Sequence, residues 1–152
     1  MSLKSQIQEG VKEAMKKQDE VARLVLRSLM SEIGKKEIEL GKREEGLSDE
    51  EVEKVVLQEL KKRKEAAEQY REGEREELAK NEEAEAVVLE QYAPEQMSED
   101  EIKSAIDDII KDVEPSGMQD MGAVMKAVMQ KVGSSADGSK VNALVRQKLS
   151  EL

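Results

Sequence analysis

Apolar residues recur along most of the chain at three- and four-residue intervals, and no stretch alternates convincingly with period two. The first stripe is Leu3, Ile7, Val11, Ala14 and Met15, broken by Gln18-Asp19. Asp19 is placed to cap a second helix with the stripe Val21, Leu24, Val25, Leu29 and Ile33, continuing to Ile38 and Leu40. Gly34 inside it costs about 1 kcal/mol relative to alanine and marks a possible bend. Gly41 and Gly46 bracket a polar turn. Ser48-Asp49-Glu50-Glu51 reads as a capping box, in which serine and glutamate each satisfy one free amide. Behind it Val52, Val55, Val56, Leu60, Ala67 and Tyr70 predict a long helix ending near Gly73, and Leu78, Ala84, Val88, Leu89 and Tyr92 a fourth.

Pro94 ends this run, because the residue before proline is pushed away from helical angles. Ser98-Glu99-Asp100-Glu101 reads as a second capping box, opening a helix with Ile102, Ala105, Ile106, Ile109, Ile110 and Val113 inward. Pro115-Ser116-Gly117 stops it. A short helix with Met121, Val124, Met125, Val128 and Met129 inward follows. After the loop 133–138, Ser139 is expected to cap a last helix with Val141, Leu144, Val145 and Leu149 inward. The pattern predicts an all-α fold: four long N-terminal helices, residues 1–94, and a small three-helix C-terminal bundle, residues 95–152.

Composition narrows the chemistry. The 152 residues are 38% hydrophobic and 39% charged, so the core is thin and the helices amphipathic. Phe and Trp are absent and Tyr70 and Tyr92 are the only aromatics, which leaves no platform for stacking several bases. A nucleic acid bound here is read by backbone and shape. Cys and His are also absent, removing disulfides, thiolate zinc sites, cysteine nucleophiles and histidine bases. The N-terminus shows no apolar signal segment and no run is long enough to span a bilayer, so a cytoplasmic location is expected.

Charge is divided sharply. The formal net is -10, and residues 74–114 alone hold 15 acidic and 4 basic side chains. The stretch Pro115 to Leu149 differs, with Lys126, Lys131, Lys140, Arg146 and Lys148 against Asp120 and Asp137. A local basic surface on an acidic chain suggests one docking place for a polyanion. At the last helix, free amides beside Lys140, Asn142 and Arg146 could hold a phosphate. Spacing alone favours the plainer description, a well-capped helix with solvated charges. Gly122, in the first turn of its helix, reads either as close helix packing or as room for an RNA backbone, with packing the better fit to spacing.

Other features read as structure. Lys61-Lys62-Arg63-Lys64 spreads around a helix among Glu59, Glu65 and Glu68, as a solvated, ion-paired surface does. Lys35-Lys36 is read the same way. Met121, Met125 and Met129 fit a core, with Met118 the exception that could meet a partner. Glu82, Glu83, Glu85 and Glu90 have no apolar pocket that would tune them for acid–base work.

Two blocks resemble the signatures of the GatB/YqeY family: Asp120-Met121-Gly122-Ala123-Val124-Met125 and Ala136-Asp137-Gly138-Ser139-Lys140-Val141-Asn142. MSLKSQI at the start, RLVLRSLMSEIGKKEIELG, QELKKRKEA and EQYAPEQMSEDE follow in family order. That family includes free-standing small proteins, the tail of the B subunit of tRNA-dependent amidotransferases, and appendages on some glutaminyl-tRNA synthetases. The resemblance implies a tRNA-binding accessory protein that grips tRNA while a partner carries out amidation. The label amidotransferase-like belongs to that fused partner; no catalytic residue, metal or cofactor is expected here. It favours RNA contact at Gly122, Lys126, Lys131, Gly138, Lys140, Asn142 and Arg146. The alternative is a protein-interaction module whose long helices dock an aminoacyl-tRNA synthetase or amidotransferase subunit.

Overall fold

The computed structural model describes residues 1–152, all of them helix or connecting turn without a strand. The chain divides into two compact units, Met1–Ala93 and Pro94–Leu152. No helix is long and apolar enough to cross a membrane.

The first unit contains α1 (Leu3–Lys16), α2 (Glu20–Glu39), α3 (Asp49–Glu72) and α4 (Glu76–Glu90). Local chemistry sets their starts. Ser2 Oγ accepts from Ser5 N, Asp19 Oδ1 accepts from Ala22 N, and Ser48 with Glu51 completes the reciprocal capping box. The core is aliphatic: Ile7 of α1, Leu26, Leu29 and Ile33 of α2, Val52 and Val56 of α3, and Leu89 of α4. Full burial of one such side chain is worth about 1.5–3 kcal/mol.

The buried stripe of α2 differs from the one the sequence suggests. It runs Val25, Leu26, Leu29, Ile33 and Glu37, while Val21, Leu24, Ile38 and Leu40 are exposed. In the run Leu24-Val25-Leu26 only two residues fit a face about 100° wide, and packing selects Leu26 over Leu24. The burial of Glu37 is compensated by Lys4 of α1, whose Nζ donates to both carboxylate oxygens at 2.9 and 3.1 Å. Met15 and Leu78, expected inward, are exposed. The helix α2 continues unbroken through Gly34.

Gly10 is the closest approach in this unit. A Cβ there would lie well inside van der Waals contact of Tyr92 Oη and 3.1 Å from Leu26 Cδ1. The phenol ring at the end of α4 thus rests on bare α1 backbone. On the facing flanks of α3 and α4, Arg63 reaches Glu85 at 3.0 Å and Arg71 pairs with Glu76 and Glu83. The Lys61–Lys64 region is accordingly an ion-paired helix surface, with Lys62 and Arg63 on Glu59 and Lys64 on Glu90.

The second unit contains α5 (Glu99–Val113), α6 (Met121–Val132) and α7 (Gly138–Ser150), with single 3₁₀ turns at Met118–Asp120 and Gly133–Ser135. Its core is Ile102 and Ile106 of α5, Val124, Val128 and Val132 of α6, and Val141, Val145 and Leu149 of α7, with Met121, Met125 and Met129 packed at its edge. Ser98 caps α5 by accepting from Glu101 N; the return bond of a full capping box is not made, and Val113 is exposed. The helix α5 ends with Glu114 in the left-handed region (φ 51°), which turns the chain into Pro115. Met97 N donates to Ser135 O at 2.7 Å and Gln96 Nε2 to Ser134 O at 3.1 Å, which pins the segment before α5 to the loop before α7.

Candidate nucleic-acid interface

Lys103 and Lys111 of the second unit lie on α5, the other five basic residues sit on α6 and α7, and three ordinary contacts fix how these two helices are turned. Lys131 of α6 reaches Asp108 of α5 at 3.0 Å, and Lys148 of α7 reaches Asp107 of α5 at 3.0 Å. Those flanks therefore face α5. Met129 Cε lies 3.9 Å from where Gly138 would carry a Cβ, so that flank of α6 faces the start of α7.

Helical spacing places the rest. Gly122 is seven residues before Met129, and Lys126 is four after Gly122, so both share the flank toward α7. On α7, Gly138, Asn142 and Arg146 follow at four-residue steps and form one line. Together these five positions bound one side of the α6–α7 pair. Lys140 is two residues from both Gly138 and Asn142, which puts it on the opposite flank. It heads the line Lys140, Leu144, Lys148 beside a crevice of about 170 Å³ between α5 and α7. Lys140 and Arg146 therefore do not converge on one phosphate, contrary to the grouping suggested by the sequence.

Ion pairing sorts the cations further. Lys131 and Lys148 are engaged with carboxylates, and Asp107 holds the Lys148 ammonium above its ordinary pKa, chiefly through their hydrogen bond. Lys126, Lys140 and Arg146 are exposed and make no ion pair or hydrogen bond. On α6 and α7 these three are the cations left for a partner; Lys111, on α5, is exposed and unpaired as well.

The helix starts need two corrections. The cap of α7 is Asp137, not Ser139: its Oδ1 accepts from Ser139 N at 3.0 Å, and the helix begins at Gly138. Asp and Ser are nearly equal as caps, and the choice of Ser139 from the sequence passed over the aspartate two residues earlier. The start of α7 thus already holds a carboxylate, which competes with any incoming anion, and Asn142 lies beyond the first turn. The start of α6 is different. No side chain caps it, because the Asp120 carboxylate turns back to accept from Ser116 N at 2.8 Å and Ser116 Oγ at 3.1 Å.

Gly122 follows at the second residue of α6. It is exposed, its φ is ordinary, and a Cβ there would meet nothing within 4 Å. Close packing within this chain does not account for it, in contrast to the reading its spacing favours. Gly138 likewise has room for a side chain, with only Met129 Cε in ordinary contact. Met118 is exposed beside the same helix start, while Met121, Met125 and Met129 are half-buried against the core.

The fold and its surface define a small all-helical protein in two units, the second bearing a basic face on α6 and α7. The model of the family described as Yqey-like protein matches residues 4–149, and the chain belongs to that family. No curated protein matches the chain.

Proposed function

We propose that this protein is a tRNA-binding accessory factor, similar to the tail of tRNA-dependent amidotransferases and without a catalytic centre of its own. In this reading the four-helix first unit is the body and the three-helix second unit the RNA-gripping tail. One observation carries it: Lys126 and Arg146 flank the same side of α6 and α7 without acidic partners, next to a helix start that no side-chain carboxylate caps and whose glycine has open space before it. Phosphate groups suit such a surface, since lysine and arginine supply charge and the exposed glycine leaves room for a backbone to approach. Family membership supports the reading, because the signature blocks Asp120–Met125 and Ala136–Asn142 contain both helix starts. Lys140 adds charge from the neighbouring flank; Lys131, held by Asp108, adds less.

The second unit holds neither tyrosine, so the contact is to sugar–phosphate backbone rather than to stacked bases. Amide hydrogen exchange with and without total tRNA tests the placement. Protection is expected at the beginning of α6 and along the exposed side of α7. Protection confined to the first unit, or none at saturating tRNA, rules the reading out.

A further inference from the structure

The outward face of α2 is the least explained surface of the first unit. With Val25, Leu29 and Ile33 turned into the core, the opposite line of the helix is Leu24, Arg27, Ser31, Gly34 and Ile38, at alternating three- and four-residue steps. Leu24 and Ile38 are 58% and 60% exposed, a large loss for two aliphatic side chains some 21 Å apart on one straight element. Arg27 is exposed between them and makes no ion pair or hydrogen bond. The line carries no carboxylate between Glu20 and its end, although the chain has 35. The carboxylates beside it are taken within α2: Glu20 by Arg23 at 2.7 Å, Glu32 by Lys35 at 3.0 Å and Glu39 by Lys36 at 3.2 Å.

We infer that this face is a docking seam for an acidic amphipathic helix of another protein. Leu24 and Ile38 supply apolar contacts at the two ends. Ser31 and Gly34 leave space between them for a large apolar side chain of the partner; a Cβ on Gly34 would meet nothing within 4 Å. Arg27 asks for a carboxylate opposite it.

A second copy of this chain fits badly. Parallel pairing sets Arg27 against Arg27. The antiparallel register that joins Leu24 to Ile38 sets Arg27 against Lys35 and leaves Ser31 facing Ser31 across a gap. An RNA backbone would satisfy Arg27 but leave both aliphatic side chains in water. This inference gives a place and a partner chemistry to the protein-docking alternative, and it uses nothing from the RNA reading of the second unit.

The test uses the full chain and two fluorescein-labelled helical peptides of about 21 residues. Each has leucines along one seam, with flanking positions all Glu in one and all Lys in the other. The Glu peptide is expected to bind at tens of micromolar and the Lys peptide at least about tenfold more weakly. Arg27→Glu should reverse that preference, and Leu24→Gln with Ile38→Gln should weaken both peptides, with circular dichroism unchanged because all three residues are exposed. Failure of both peptides, equal binding of the two, or indifference to Arg27→Glu overturns the inference. Displacement of the Glu peptide by tRNA overturns it as well, as does a dimer in sedimentation velocity that Leu24→Gln abolishes. The RNA reading survives any of these results, since its own test reads α6 and α7.

Discussion

Replacing Gly122 with alanine separates two explanations of that glycine. If it existed for tight helix packing, an added methyl group would clash and the second unit would lose stability. The structure shows open space instead: an ordinary φ, an exposed residue, and no heavy atom within 4 Å of the added Cβ. The helix-propensity difference between glycine and alanine is then free to act. It is about 1 kcal/mol in a helix interior, and about half of that is a reasonable share at the second residue of α6. In a unit of this size, about 0.5 kcal/mol raises Tm by roughly 2–4 °C. Thermal unfolding followed by circular dichroism reads the shift directly. The same variant should bind tRNA several-fold more weakly, because the methyl group stands where a backbone would approach. Stabilisation together with weakened binding is the expected pair. A drop in Tm refutes the packing analysis, and a rise in Tm with unchanged binding refutes the role given to the glycine.

Three further outcomes follow from other parts of the structure. Gly10→Ala pushes a methyl group into Tyr92 and Leu26 and should destabilise the first unit by about 2 kcal/mol in urea unfolding, with Tyr92→Ala relieving part of that loss in the double variant. Glu51 is held at a pKa of about 2, below its ordinary 4.5, first by the Lys42 hydrogen bond and then by Ser48 N; a carboxylate depressed on folding stabilises fully above its unfolded pKa, so the difference between the native chain and Glu51→Gln should be present at pH 7 and fade as pH falls from about 4.5 towards 2. Lys126→Ala should weaken tRNA binding more than Lys131→Ala, since the latter ammonium is already engaged by Asp108; equal losses would show that the pair opens at no cost.

What the sequence revealed was local. The caps Asp19 and Ser48 and the stop at Gly73 depend on a few neighbouring residues, and they read directly as helix ends, whereas α4 ends at Glu90, four residues before Pro94. Periodicity also identified α6 and its valine face. It failed where two apolar residues compete for one face, as Leu24 and Leu26 do, because only packing against α1, α3 and α4 decides between them. It was silent on long-range partners. The burial of Glu37 depends on Lys4, 33 residues earlier, and the contact of Gly10 depends on Tyr92, 82 residues later. The candidate interface shows the same division. The basic stretch was visible as composition, but Asp107 and Asp108 on a separate helix decide which of its cations face outward unpaired. Two-residue spacing already separates Lys140 from Asn142, so that distinction was available from helix geometry alone.

The central claim is that α6 and α7 grip an RNA backbone through Lys126 and Arg146, with Lys140 nearby. Its most direct test is a fluorescence titration of the purified chain with total tRNA at about 50 and 200 mM salt, repeated with the Lys126→Glu/Arg146→Glu variant. Two or three phosphate contacts predict an affinity that falls about 10- to 40-fold between those salt concentrations, and binding that the double reversal abolishes. No binding at the lower salt, or binding that ignores both salt and the reversal, would contradict the account.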